Sequence, residues 1–177
     1  MEDPAMHWPG FRDDGGLILP LDPQPLLPPG MPLRLRLDGH VLERKRELHI
    51  TLLDRDAGNA LRAQLGEDRV RALFESLEWQ PGGTARYALL HKAKPQWDGL
   101  LQAWSLIEHL HAPAFAGFRH ELAKASGLRL DCGVPHATLY VAGDPQGIGL
   151  PDLEAYRSCF VREVAASEVM QRPPAGG

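Results

Sequence analysis

Cysteine is nearly absent from this chain, with only Cys132 and Cys159 among 177 residues. Two cysteines without metal-ligand spacing build neither a disulfide framework nor a zinc cluster, so both are read as reduced, partly buried thiols. No run approaches the roughly eighteen apolar residues of a membrane span, and the start Met1-Glu2-Asp3-Pro4-Ala5 lacks a basic n-region before an apolar core. The expected location is therefore cytoplasmic. There is no P-loop, no Gly-x-Gly-x-x-Gly and no His-Glu-x-x-His, which removes the triphosphatase, dinucleotide and zinc-protease readings. The net charge of −4 lacks the positive excess that tight, general binding of long nucleic acid draws on. A small nucleotide or a short RNA end fits that balance better.

Threonine is scarce as well: Thr51, Thr84 and Thr138 are all there are. Two of them stand two places after a histidine, in His49-Ile50-Thr51-Leu52 and His136-Ala137-Thr138-Leu139. With eight histidines in the chain, chance makes two such pairs on the order of a one-in-a-hundred event. Both copies lie in strand-like runs, residues 47–53 and 136–141, where side chains alternate between faces. His and Thr then share one face while the flanking apolar residues share the other. Each strand presents an imidazole about 6.5–7 Å from a hydroxyl.

Imidazoles titrate near neutrality, so one can take a proton from a nucleophile while another, protonated, gives one to a leaving oxygen. In-line displacement at phosphorus needs this pair on opposite sides of the reacting atom. The threonine hydroxyls can hold the equatorial phosphoryl oxygens, where charge must be stabilised. The scheme needs no metal and no cofactor.

On these residues the chain resembles the two-histidine (2H) phosphoesterase superfamily, which includes the RNA 2′,3′-cyclic phosphodiesterases often called 2′-5′ RNA ligases. The resemblance rests on the motif at His49, on Pro135-His136-Ala137-Thr138-Leu139-Tyr140, on the following Gly147-Ile148-Gly149-Leu150, and on Ser105-Leu106-Ile107-Glu108-His109-Leu110 as the strand beside the second motif. It covers roughly residues 32–165. One departure is that many members place a helix before the first motif, where here a short turn at Asp38-Gly39-His40 leads on to it. The resemblance implies a bilobal α+β fold with pseudo-two-fold symmetry, antiparallel sheets lining a central cleft and helices outside. It also implies His49 and His136 as acid and base, and Thr51 and Thr138 as phosphate-binding hydroxyls. The implied activity is hydrolysis of a 2′,3′-cyclic phosphate, or a related phosphodiester, of an RNA end or small nucleotide. A cyclic oligonucleotide or 2′-5′-linked messenger is the alternative substrate, and a non-catalytic RNA- or nucleotide-binding protein the alternative class.

Around the motifs, Tyr140 has the parity of His136 and Thr138 and is a candidate base-stacking residue. Tyr87, His91, Trp97 and Trp104 are weaker candidates for a base pocket. His109 and His111 form a His-x-His pair without a third ligand at suitable spacing. Arg44-Lys45-Arg46 runs into the first motif and is placed to steer an anionic substrate.

The organisation expected along the chain is a proline-rich arm (1–32), a phosphoesterase-like domain (33–168) and a disordered tail (169–177). Eight prolines in the arm argue against regular helix or sheet there. The domain would open with a hairpin over 33–53. Helices follow at 57–66 and 67–78, a strand at 84–92, a loop over 92–97 and a strand at 101–110. Next come a helix over 112–126 stopped by Gly127, a strand at 128–131, the second motif strand, a short helix near 151–155 and a strand near 156–164.

Overall fold

A computed structural model describes residues 6–131 and 133–171. In chain order the elements are β1 (Leu17–Leu21), α1 (Pro23–Leu26), β2 (Arg34–Leu37), β3 (His40–Arg44), β4 (Leu48–Leu53), α2 (Arg55–Leu65) and α3 (Glu67–Glu75). Then come β5 (Gly82–Gln96), β6 (Gly99–His111), α4 (Pro113–Ser126), β7 (His136–Ala142), α5 (Leu153–Cys159), β8 (Phe160–Val164) and α6 (Ala166–Val169). The fold is α+β, with a curled antiparallel sheet that forms a half-barrel. Six strands run in the order β2-β3-β7-β6-β5-β8, and β1 and β4 make a separate antiparallel pair.

The β2–β3 hairpin follows from its turn chemistry. Asp38 and Gly39 are the two loop residues, both at positive φ (52° and 81°), the geometry that matches the right-handed twist of the flanking strands. Leu35, Leu37 and Leu42 point into the core from this hairpin, while Arg34 and Arg36 stay exposed. The expected hairpin thus ends at Arg44. β4 continues the chain but pairs with β1, with Pro20 opposite His49 and Ile18 opposite Thr51.

That pairing corrects the reading of the arm as free of regular structure. Its prolines flank one strand-competent run, Leu17-Ile18-Leu19, whose Leu17 and Leu19 are fully buried. Pro20 is tolerated because β1 is an edge strand. The arm then folds back on α2, where Gly58 packs against the Gly15 carbonyl so closely that a Cβ would overlap it.

α2 and α3 meet at Gly66, and Asp54 caps α2 by accepting from the amides of Asp56 and Ala57, both at 2.9 Å. Phe74, Trp79 and Phe118 stack and cross at 4.8–6.0 Å, joining α3 to α4 over the main core. Gly127 ends α4 in the left-handed conformation.

Several local expectations differ, among them the strand read near 156–164, which begins only at Phe160 because 156–159 complete α5. The loop read at 92–97 is strand up to Gln96, because β5 and β6 run on as a ribbon past the point where β8 stops pairing; Pro95 sits where β5 has no outer neighbour to receive an N–H. Residues 128–131 form no strand, and the Asp131 carbonyl instead accepts from Arg119 Nε (3.0 Å) and Nη2 (2.8 Å). The tail expected from residue 169 is anchored at its start. Val169 is buried and the Gln171 amide donates to the Arg36 carbonyl at 2.6 Å, while residues 172–177 lie outside the described residues. Among the described residues no helix is long and apolar enough to cross a membrane.

Candidate functional site

β4 lies against β7 where the curled sheet and the β1–β4 pair meet. Strand alternation buries Leu48, Ile50 and Leu52 on one face of β4, and Ala137 and Leu139 on one face of β7. The opposite faces carry His49 with Thr51 and His136 with Thr138, and all four line one cavity of about 700 Å³. Segments nearly ninety residues apart in sequence thus meet at one cavity.

The histidines occupy different surroundings. His136 Nδ1 lies 2.6 Å from the Val134 carbonyl, which can only accept, so Nδ1 carries the proton and Nε2 is left as the second ring nitrogen. Burial pulls the His136 pKa below its ordinary value, opposed by that bond, with a further lowering from His109. Burial also lowers His49, aided by the charges of Lys45, Arg12 and His136 and opposed by Glu47. Mutual repulsion between the two imidazoles favours one proton shared between them over two.

Tyr140 is a correction. Opposite Ile107 and Leu106, β7 offers Thr138 and Tyr140, so Leu139 is an extra residue and the strand bulges. The bulge reverses the alternation. Tyr140 turns into the core with no exposed surface, and its hydroxyl donates to the Pro32 carbonyl at 2.7 Å. Burial pushes its pKa up to about 12. A side chain so placed stacks on no base.

The weaker aromatic candidates do not line the cavity either. Trp104 is stacked between His40 (3.9 Å) and His91 (4.3 Å), and Trp97 stands almost fully exposed at the tip of the β5–β6 ribbon. His109 Nε2 meets the Tyr156 hydroxyl at 3.2 Å. Among the described residues no group of three or more His, Cys, Asp or Glu is gathered for a cation. Cys159 is a free, buried thiol, and Cys132 lies outside the described residues.

Arg119, Lys94 and Asp14 also line the cavity, and sequence reasoning gave none of them a part in the site. Arg119, on α4, is buried; its Nη1 donates to the Leu52 carbonyl at 3.0 Å while Nε and Nη2 hold Asp131, which ties the strand of the first motif to the segment before the second. Lys94 bonds Asp144 Oδ2 at 2.5 Å and the Gly147 carbonyl at 2.8 Å, fixing the loop that covers Thr138. Gly147 in that loop takes φ +80°, a conformation that L side chains rarely adopt. Asp14, from the arm, completes the wall. A lysine in the segment read as a loop over 92–97 was the one available signal; an arginine on an amphipathic helix gives none.

No protein-family model, curated protein or solved structure matches the chain.

Proposed function

We propose that the protein is a metal-independent phosphoesterase that opens a 2′,3′-cyclic phosphate, or a related phosphodiester, at an RNA end or on a small nucleotide. The observation that carries this reading is the convergence of His49, Thr51, His136 and Thr138 on one cavity. One neutral imidazole takes a proton from water as the water oxygen bonds to phosphorus. The other, as imidazolium, gives its proton to the ribose oxygen as the P–O bond breaks. Thr51 and Thr138 donate to the phosphoryl oxygens, while Lys94, paired with Asp144, holds the loop over Thr138 in place. Burial holds both imidazoles below their ordinary range, so a pair with one charged and one neutral ring is populated on the acid side of neutrality, and the His49–His136 repulsion disfavours charging both. The bilobal, pseudo-two-fold arrangement of the 2H superfamily belongs to this proposal, with the β1–β4 pair and the β7 side of the large sheet as the two cleft walls.

The test is hydrolysis of 2′,3′-cyclic AMP and of a short RNA ending in a 2′,3′-cyclic phosphate, with EDTA present. Wild type should turn over at least one, and His49→Ala and His136→Ala should each lose about 10²–10⁴-fold in kcat. Wild-type activity abolished by EDTA, or full activity in either variant, defeats the mechanism.

A further inference from the structure

Beside the catalytic cavity lies a second groove of about 630 Å³, lined by Pro23, Gln24, Leu27 and Leu33 and by the charged run Arg34, Glu43, Arg44, Lys45 and Arg46. Resting on the phosphoesterase reading, we propose that this groove holds the phosphodiester backbone of a nucleic-acid strand whose end occupies the His/Thr cavity. The substrate is then an oligonucleotide end rather than a free cyclic mononucleotide.

The groove's charge runs against that of the molecule. In a chain of net charge −4, four cations face a single carboxylate, Glu43, which is engaged by Arg34 at 3.4 Å. Among the described residues the other cations have no carboxylate hydrogen-bond partner, although the Lys45 charge is also felt by Asp144. Arg44 Nη1 donates to the Met31 carbonyl at 3.0 Å and Lys45 Nζ to the Pro145 carbonyl at 3.3 Å, both uncharged acceptors. Arg46 is exposed and has no partner among the described residues. Clustered Arg and Lys along a groove track a phosphate backbone, with Arg able to bind phosphate oxygens bidentately.

One contact links the groove to the cavity. Lys45 lines it and bonds Pro145, and the next residue, Gln146, lines the catalytic cavity. The Lys45 charge also reaches His49. Leu33, 70% exposed, together with Leu27 and Pro23, gives an apolar surface for a base between backbone contacts. An acidic protein segment is the competing occupant, but it would not require the groove to join a phosphate-cleaving cavity.

The experiment uses the full chain and the double variant Arg34→Ser/Arg46→Ser, whose mutated positions are both exposed. Binding of a labelled 3′-phosphorylated hexaribonucleotide is followed by anisotropy, with 3′-AMP as competitor, across a salt series. Wild type should bind the hexanucleotide at least about tenfold more tightly than 3′-AMP. The double variant should lose most of that preference, and its slope of log K against log salt should fall by about 1.4, as expected for two single-strand phosphate contacts. The ratio of kcat/KM for a cyclic-phosphate oligonucleotide over 2′,3′-cyclic AMP should fall in parallel. Equal wild-type affinity for the two ligands, an unchanged preference in the double variant, or stronger displacement by a polyglutamate peptide than by unlabelled hexanucleotide overturns the proposal. Failure of the phosphoesterase reading looks different: neither substrate turns over, while groove-dependent binding is still read directly and supports the groove.

Discussion

His49 and His136 are both held on the acid side of the ordinary imidazole range, chiefly because burial disfavours the charged ring. This sets the sign of two measurements. In kcat/KM, which reports the free enzyme, the bell should peak below about pH 6.5, because one imidazole must still carry a proton. An optimum above pH 7.5 would contradict the assignment. In stability, a depressed histidine pKa means that the unfolded chain takes up protons first. The contribution of these rings is therefore present above about pH 6.5 and lost as pH falls through their lowered values. Tyr140 gives an independent check. Tyr140→Phe removes the hydroxyl that donates to Pro32 and should cost about 1 kcal/mol in chemical denaturation. KM for either nucleotide substrate should stay unchanged, whereas a stacking role would raise it. Parity alone placed His136 and Thr138 with Ala137 and Leu139 behind them, and it failed two residues later. The extra residue at Leu139 is fixed by pairing with β6, and no local pattern in β7 announces it.

At the scale of elements, amphipathic periodicity and turn residues were legible where the chain decides its own structure. α2, α3, α4 and the Asp38-Gly39 turn follow from apolar spacing, an aspartate cap and glycines. What was not legible was partner choice. β1 is a strand because β4 has an edge to offer, and 128–131 is not one because Arg119 takes the Asp131 carbonyl. The arm's docking carries its own prediction. Alanine in place of a helical glycine ordinarily stabilises by about 1 kcal/mol. At Gly58 the added methyl would overlap the Gly15 carbonyl, so Gly58→Ala should instead lower Tm, costing about 1–3 kcal/mol. A raised Tm in a thermal melt would show that the arm does not rest on α2.

At the scale of the molecule, the sheet curls so that its second motif strand comes to rest against a strand paired with the arm, and the cavity draws its walls from residue 14 to residue 151. The histidines and threonines were visible in the sequence because their chemistry repeats. The cations that complete the site were not, because Arg119 and Lys94 act through contacts made only after the sheet has closed. The net charge of −4, read alone, argued against tight, general binding of long nucleic acid; a molecule of negative balance can still set three arginines and a lysine along one groove.

The pairing of β1 with β4, and of β4's neighbour β7 with β6, also governs when the protein becomes competent during refolding. Helices α2, α3 and α4 can form from local contacts, but the two histidines meet only after a loop of nearly ninety residues has closed. Helical signal should therefore return before the cavity that holds both histidines exists. Under the proposed function, recovery of turnover after dilution from denaturant would time the meeting of β4 and β7, a clock for sheet closure.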